Sequence, residues 1–364
     1  MEVKREALGF SYWPMRRSTR RWGLHTMAYA TDPWGVIDTA VVAHFDGTDR
    51  ETPRSFVRQA REYVRAADGA EAYEAKPVLY YYGFLNLAKA LSLMRDGSTL
   101  LRSRVHHGLK VISAAGAKIQ SAELQASRSS SASASAFAEL FAALTGGALG
   151  SDPVVRLEEV MSQIVVGHRL WREVGSRKER FIGVSEVRVH HDPSAHEIWA
   201  TILLPKDTLD RRGRSVAEVL RESGLGADWR AVENTEDNAG RDCRRLELTT
   251  PVSYTGRHSD VVMELVDRVR PNLWRTITTT PPYRRYYLYL APTGETRWPQ
   301  LASAYALMFY LGHLTRYTPT DFISSLDDTY GSFIREFLAS QPGQFLFEMA
   351  CEFRRQEVTK AGIT

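Results

Sequence analysis

The sequence contains few cysteines and no long hydrophobic run. Among its 364 residues only Cys243 and Cys351 are cysteines, and they lack the spacing of metal ligands. We therefore expect two buried, reduced thiols and a cytoplasmic protein. No stretch of about 18 or more apolar residues occurs, which excludes a typical transmembrane helix and predicts no membrane partner. The first residues include no apolar segment of the signal-peptide kind, so we expect no signal peptide.

The sequence also lacks the short motifs that position phosphates, nucleophiles or metals. We find no P-loop, no Gly-x-Gly-x-x-Gly, no Gly-x-Ser-x-Gly and no His-Glu-x-x-His. Nucleotide-driven and motif-based hydrolase chemistry is therefore not indicated. His190 and His191 are adjacent within a predicted strand, where neighbouring side chains point to opposite faces. We predict no metal site and no cofactor.

Lysine is scarce among the basic residues. Eight of the 47 basic residues are Lys and the remaining 39 are Arg, while the formal net charge is only +4. The planar guanidinium group binds phosphates and stacks on aromatic rings, which favours a nucleic-acid partner. A codon bias of the genome would produce the same excess of Arg, and both interpretations stay open.

Hydrophobic patterning divides the chain into four regions. We predict an irregular, aromatic-rich lead-in over residues 1–50 and a helical region over residues 51–180. Short strand patterns between turn residues predict an α+β insertion over residues 181–292. Residues 293–364 are predicted to be C-terminal helices that pack on the helical region. The predicted fold class is therefore mainly α with an α+β insertion.

Two N-terminal helices are the clearest elements. Residues 52–67 have apolar side chains at helical spacing, and Pro53 suits a first turn. A stripe of arginines on another face of this helix comprises Arg54, Arg58, Arg61 and Arg65. The stripe suits either the phosphates of a nucleic acid or an ion-paired, solvated surface. Residues 76–94 are apolar nearly all round, which predicts the centre of a helical bundle.

Periodicity and turn residues predict the other helices. They are expected at residues 136–144, 153–173, 298–317, 321–339 and 342–357. Pro319 should end the helix over residues 298–317, because proline lacks an N–H group and restricts the preceding residue. The Ala- and Ser-rich residues 114–138 suggest a flexible loop or a surface hairpin.

Three segments resemble the YaaC-like family of bacterial proteins, in the order that the family has them. They are FVRQAREYVRAA at residues 56–67, YYYGFLNLAKAL and then HHGL within residues 77–109, and YALMFYLGHLTRYTP at residues 305–319. The third is the most specific, because its Tyr-x-x-x-Phe-Tyr-Leu-Gly-x-x-x-Arg-Tyr-x-Pro pattern has few accidental matches. The resemblance implies a bacterial, cytoplasmic protein and does not imply a particular reaction.

The second segment also resembles HEPN domains. These are helical bundles in which a tyrosine-rich helix precedes a loop containing His-x-Gly, and members are metal-independent ribonucleases or non-catalytic binding modules. The resemblance implies a HEPN-like bundle that the C-terminal helices complete. Catalytic members carry an Arg, a polar residue and a His on a helix near the end of the bundle. In those members the His follows the Arg by four to six residues. Here Arg102 and His107 have such an Arg-x4-His spacing, but they follow the tyrosine helix and do not lie on a final helix.

Residues 102–107 contain the side-chain types that metal-independent RNA cleavage needs. His107 or His106 would take the proton of the 2′-OH, and Arg102 would stabilise the charge on the phosphorane-like transition state. The alternative is a structural turn at His107 and Gly108, with the His107 ring bonded to a backbone carbonyl and the glycine at a positive φ.

Two further arginines are predicted to contact nucleic acid, namely Arg104 and Arg316. Arg316 either closes the last carbonyl groups of its helix or faces the tyrosine helix and completes a shared pocket. The consecutive Tyr80, Tyr81 and Tyr82 point about 100° apart on a helix, so at least one belongs to the core.

The function that these patterns favour is a nucleic-acid-associated, HEPN-like binding or scaffold module. It would act in a bacterial multi-protein system such as phage defence, with RNA or DNA and a protein partner or a second copy of the chain. One alternative is a metal-independent endoribonuclease that uses His107 and Arg102. The other is a purely structural subunit that binds only protein.

Overall fold

The computed structural model describes residues 6–9, 27–95, 99–102, 104–114, 116–237, 239–258, 261–280 and 285–360. Helices predominate within these ranges and the sheets are small, which confirms the prediction of a mainly α protein with additional β structure. Contacts divide the chain into two compact units. Unit 1 comprises Met1–Thr31, Arg180–Glu295 and Arg355–Thr364, and unit 2 comprises Asp32–Glu179 and Thr296–Arg354.

The α-helices of both units follow in chain order. They are α1 (Pro33–His44), α2 (Glu51–Asp68), α3 (Lys76–Leu93), α4 (Thr99–Arg102), α5 (Ala136–Thr145), α6 (Leu157–Ser162), α7 (His168–Val174), α8 (Lys206–Arg211), α9 (Val216–Ser223), α10 (Val262–Thr276), α11 (Gln300–Tyr317), α12 (Pro319–Asp327) and α13 (Gly331–Arg354). Short 3₁₀ turns occur at Gly47–Arg50, Tyr73–Ala75, Ile119–Ser121 and Gly226–Asp228.

The strands are short and also belong to both units. They are β1 (Glu6–Gly9), β2 (Met27–Tyr29), β3 (Arg104–His106), β4 (Leu109–Val111), β5 (Glu123–Ala126), β6 (Ser133–Ser135), β7 (Val154–Arg156), β8 (Phe181–Val184), β9 (Glu186–Asp192), β10 (Glu197–Pro205), β11 (Trp229–Glu236), β12 (Asp242–Leu248), β13 (Val252–Ser253), β14 (Ile277–Thr280), β15 (Arg285–Tyr289) and β16 (Glu357–Thr359).

Unit 1 is built around a six-stranded sheet. Its strand order is β1-β9-β10-β12-β11, with β13 pairing to β10, and the pairs are antiparallel. A three-stranded sheet has the order β14-β15-β8, and β16 pairs with β2 in parallel. The long apolar run of β10 is buried along most of its length, as expected of a central strand.

Unit 2 is organised around α3, which is buried on nearly every side as the sequence predicted. Helices α2, α5, α11 and α13 pack against it. Gly312 lets α11 approach α3 closely, because a Cβ there would lie 3.3 Å from the Pro77 carbonyl oxygen. Where α13 packs against α3, the rings of Phe84 and Phe345 stack with centroids 3.6 Å apart. This packing fixes the position of the tyrosines on α3.

The predicted irregular lead-in over residues 1–50 differs from the structure, because α1 occupies Pro33–His44. The carboxylate of Asp32 accepts a hydrogen bond from the Trp34 N–H at 3.0 Å, and Pro33 stands in the first turn. These are ordinary signals for the start of a helix, which the aromatic content of the segment obscured. Residues 10–26 of the predicted lead-in lie outside the described residues.

Two other helix predictions are wrong in part. The predicted helix over residues 153–173 is divided into β7, α6 and α7, with Gly167 at a φ of +79° before α7. The expected helix start at Pro342 is absent, since Pro342 lies buried inside the continuous helix α13. Buried Phe337 and Phe345 on either side of it hold the helix together despite the lost N–H donor.

The Ala- and Ser-rich segment over residues 114–138 contains regular structure. Strand β5 pairs with β4 and β7, and β6 pairs with β3 in parallel. Both cysteines are buried thiols outside any disulfide, as predicted. Among the helices that the structure describes, none combines the length and apolar character needed to cross a bilayer.

A carboxyl group is buried in unit 2 at Glu348 of α13, which is 2% exposed. The side-chain amide of Gln300 donates a hydrogen bond to it. Burial raises the pKa of Glu348 well above its ordinary value of 4.5, and the charge of Glu352 adds to that rise while the Gln300 bond opposes it. Glu348 is therefore expected to be protonated in the folded chain under mildly acidic conditions.

Replacing Glu348 with glutamine is expected to remove part of the pH dependence of folding. A carboxyl group with a raised folded pKa contributes stability that is complete below its unfolded pKa and is lost as the pH rises through the folded pKa. The free energy of unfolding in urea should fall as the pH rises above 4.5, the ordinary pKa of the group, in the wild type and fall less in Glu348→Gln. The exposed Glu51→Gln serves as control. Parallel pH profiles for all three proteins would contradict the assignment.

Candidate functional site

The candidate site lies in unit 2, where α3, α11 and the turn after β3 meet. We call it the Tyr81 site and define it by Tyr81, Tyr82, His107, Tyr305 and Arg316. The ring of Tyr81 lies 5.5 Å from the His107 ring and 5.7 Å from the Tyr305 ring, measured between centroids. Tyr81 is fully buried and His107 is half-buried. The site therefore joins a buried interior to a more open edge.

The backbone around Gly108 fixes the position of His107. The carbonyl oxygen of His107 accepts a hydrogen bond from the Phe137 N–H at 3.3 Å, and that of Gly108 accepts one from the Ser127 N–H at 2.8 Å. Gly108 has a φ of +82°, which favours glycine. The predicted turn with a glycine at a positive φ is therefore present, and it holds the imidazole against α3. The predicted ring partner is wrong, because the Tyr81 hydroxyl lies 2.6 Å from His107 Nδ1 where a backbone carbonyl was expected.

A chain of hydroxyl groups determines which nitrogen of His107 carries the proton. The Oη atoms of Tyr305 and Tyr81 are 3.5 Å apart, and Tyr81 Oη lies 2.6 Å from His107 Nδ1. Among the described residues, Tyr81 is the hydrogen-bond partner of the buried Tyr305 hydroxyl. We assign Tyr305 as the donor to Tyr81 and Tyr81 as the donor to Nδ1, because this order gives the buried Tyr305 proton an acceptor. The neutral His107 ring keeps its proton on Nε2.

His106 is fixed in the same tautomer by its own backbone. The Gly108 N–H, which can act only as a donor, lies 3.2 Å from His106 Nδ1. Both neutral imidazoles thus carry their proton on Nε2, where a general base would need a lone pair. The arrangement suits hydrogen-bond donation to a ligand better than proton abstraction.

Positive charge surrounds His107. Burial lowers the pKa of His107, and the charges of Arg316, Lys89 and His106 lower it further. Burial and the charge of Arg316 also lower the pKa of His313, which lies on α11 together with Arg316. The described charges that act on His107 are all cationic, so the site attracts anions while its imidazole stays neutral near pH 7.

The two tyrosine hydroxyls beside His107 stay protonated. Burial raises the pKa of Tyr81 and that of Tyr305 far above their ordinary values. A protonated Tyr81 is the donor that the His107 tautomer requires. As the sequence predicted, at least one of the consecutive tyrosines is core, since Tyr80 and Tyr81 are both buried and only Tyr82 is partly exposed.

Arg316 satisfies both alternatives that its sequence position left open. Its Nε donates to the Gly312 carbonyl oxygen at 3.0 Å, which closes the end of α11. Its Nη1 donates to Tyr82 Oη at 3.2 Å, and the guanidinium lies 5.6 Å from the centroid of the Tyr81 ring. Within the described part of the chain, Arg316 has no carboxylate partner. Its charge is left to act on a ligand.

The arginine stripe on α2 differs from Arg316 in this respect. Each member lies within 4.0 Å of a carboxylate, and the pairs are Arg54 with Asp38, Arg58 with Glu51, Arg61 with Asp32, and Arg65 with Glu62. All four pairs are well exposed, so each contributes little to stability. An ion-paired surface is present on this helix, and its contact with nucleic acid stays a prediction.

Two predicted site residues precede His107. Arg102 is the last residue of α4, and its side chain lies outside the described residues, so its proposed pairing with His107 stays a prediction. Arg104 begins β3 and is exposed. The structure thus brings His107 together with Arg316, which lies more than 200 residues further along the chain.

The sequence reasoning missed Tyr305 and the position of Tyr82 beside Arg316. A signal for the first was present, because Tyr305, Phe309, Gly312 and Arg316 are spaced by four, three and four residues. Such spacing places side chains on one face of a helix. The Phe309 ring does lie on that face, with its centroid 5.4 Å from the Tyr81 ring.

The comparisons with known proteins give one match. No curated protein matches the chain, and no solved structure matches it. The family model for YaaC-like proteins matches residues 25–353. This range includes the whole of the Tyr81 site and most of the chain, and the three sequence segments that suggested the resemblance lie within it. The chain therefore belongs to the YaaC-like protein family.

Proposed function

We propose that the chain is a nucleic-acid-associated binding or scaffold module of a bacterial multi-protein system, such as a phage-defence system. In this proposal the Tyr81 site holds a phosphate of RNA or DNA and does not cleave it. Arg316 and the Nε2–H groups of His107 and His106 are the donors toward the phosphate oxygens.

The short contact between the Tyr81 hydroxyl and His107 Nδ1 is the observation that carries this proposal. Tyr81 occupies Nδ1 at 2.6 Å, so the Nε2–H group is the part of the ring available to a ligand. A phosphate oxygen accepts such a bond, whereas the proton of a ribose 2′-OH would need a lone pair there. The guanidinium of Arg316 supports the same reading, because it supplies positive charge without a described carboxylate partner.

We further propose that α2, α3 and α5 belong to a HEPN-like bundle, which the C-terminal helices α11, α12 and α13 complete. Support comes from the order of a tyrosine-rich helix, α3, followed by a turn with His107 and Gly108. His107 follows the tyrosine helix and does not lie on a helix near the end of the bundle. That departure from the catalytic HEPN pattern favours the binding role.

Nucleic-acid binding is tested by fluorescence anisotropy with labelled single-stranded RNA and DNA over a series of salt concentrations. We expect saturable binding that weakens as salt increases, with a log–log slope of about −0.7 for each phosphate contacted. Four contacts would give about −2.8. The same RNA should remain intact during prolonged incubation with the protein in EDTA.

Each alternative function has its own outcome in this experiment. Cleavage in EDTA that is lost in His107→Ala and kept in the exposed control His196→Ala would establish the ribonuclease. Absent binding, or binding insensitive to salt, would leave the structural subunit. Either result would overturn the proposed function.

A further inference from the structure

A second concave surface of unit 2 is separate from the Tyr81 site. It is a groove of about 490 Å³ between α12, the second half of α11 and the turn at residues 116–118. Its volume lies within the usual range of small-molecule sites, which is about 300–1,000 Å³. Three carboxylates line it, from Asp321, Asp327 and Asp328. We call it the α12 groove.

The phenol of Tyr310 is an unpaired polar group in the α12 groove. Its side chain is 2% exposed and lines the groove, and its hydroxyl has no hydrogen-bond partner among the residues that the structure describes. Burial and the charge of Asp321 raise the pKa of Tyr310 to about 12, so the phenol stays protonated. The hydroxyl lies at the wall of the groove, so its hydrogen-bonding capacity is available to a ligand there.

The carboxylates lie at the two ends of α12. Asp321 lies in the first turn of α12 and Asp327 is its last residue, so six residues of helix separate them by about 9 Å along the axis. Apolar side chains of Ile119 and Leu314 also line the groove. The pattern is two anionic ends with apolar surface near them.

Asp328 accepts a hydrogen bond of 3.1 Å from the neighbouring Thr329 hydroxyl, but the other contacts of these carboxylates are long. Asp321 Oδ2 accepts a hydrogen bond from the Gly116 N–H at 3.3 Å. Asp328 lies 3.8 Å from the ammonium group of Lys118, and Asp327 lies 3.6 Å from Arg335. Such pairs are weak and exchange readily with another cation.

We propose that the α12 groove binds a linear polyamine. One ammonium group contacts Asp321 and the oxygen of Tyr310, a second contacts Asp327 and Asp328, and the methylene chain lies on the apolar lining. An ammonium group has three donors and no acceptor, which matches carboxylate and phenol oxygens. A metal ion fits less well, because the described residues include no group of three metal-binding side chains that could hold one.

The proposal is tested by calorimetric titration of the full chain, freed of nucleic acid, with spermidine. We expect one saturable site. Asp321→Asn and Tyr310→Phe should each weaken binding by about tenfold or more, since each removes a hydrogen bond to a charged group. Lys118→Gln should strengthen it, because a competing cation is lost. Asp207→Asn, an exposed carboxylate of unit 1, is the control and should bind as the wild type does.

Three results would overturn the polyamine site. The first is no measurable binding of spermidine by the wild type. The second is equal competition by Mg²⁺ at the same concentration, which would mean charge screening without recognition. The third is unchanged affinity in both Asp321→Asn and Tyr310→Phe. Misfolding cannot increase affinity, so the gain of affinity expected for Lys118→Gln distinguishes a loss of the site from a loss of the fold.

Discussion

An alanine in place of Gly108 is expected to destabilise unit 2 by about 2–5 kcal/mol and to move His107 away from Tyr81. Gly108 has a φ of +82°, where an L side chain is strained by about 1–2 kcal/mol. The added Cβ would also lie 2.1 Å from Ser135 Oγ and 2.9 Å from the Phe137 nitrogen. Relieving such contacts costs about 1–3 kcal/mol more.

The effect of Gly108→Ala is measured as the free energy of unfolding in urea, with Gly146→Ala as the matched control. Gly146 has a similar φ of +73°, but a Cβ there meets no described atom within 4 Å. Gly146→Ala should therefore lower the free energy of unfolding by the backbone strain alone, about 1–2 kcal/mol. Equal losses in the two variants would show that the turn can relax and does not fix His107. A shifted NMR titration of His107 is expected in Gly108→Ala only.

Helix periodicity was sufficient to predict the elements that carry the Tyr81 site. The predicted helices at residues 52–67, 76–94 and 298–317 correspond to α2, α3 and α11 within two residues at each end. Helices α3 and α11 are apolar on most faces, and α2 has one continuous apolar stripe. The local pattern and the tertiary packing therefore agree.

Elements whose ends depend on tertiary contacts were harder to predict. Residues 153–173 carry a helical pattern, yet β7 takes Val154–Arg156 because that segment completes a sheet with β5. Pro342 predicts a helix start by local rules, but buried neighbours carry α13 through it. In both cases a contact distant in sequence outweighs the local preference.

The missed helix α1 also explains why the arginine stripe remained ambiguous. Asp32 and Asp38, which pair with Arg61 and Arg54, belong to the start and body of this helix. Because the lead-in was predicted to be irregular, no acidic partners could be assigned there. In contrast, the pairing of Tyr81 with His107 and Tyr305 joins three distant segments, and a single sequence without an alignment does not reveal such contacts.

Replacing Arg316 with alanine is expected to weaken binding of single-stranded RNA by about 10- to 150-fold, the value of a lost hydrogen bond to a charged group. The salt slope should become shallower by about 0.7, because one phosphate contact is lost. The variant also loses the bond from Nε to the Gly312 carbonyl oxygen, which only affects the last turn of α11. Arg211→Ala, with the same change in net charge in unit 1, is the control.

The lysine variant separates charge from geometry at the same position. Arg316→Lys keeps the positive charge, but its three donors sit on one nitrogen, which cannot occupy the separate positions from which Nε reaches Gly312 and Nη1 reaches Tyr82. We therefore expect Arg316→Lys to keep most of the salt slope and lose much of the affinity. If Arg316→Lys bound like the wild type, the site would act only through its charge, and the hydrogen-bond geometry at Arg316 would have no part in recognition. If Arg316→Ala weakened binding no more than Arg211→Ala, the phosphate would lie elsewhere on the protein.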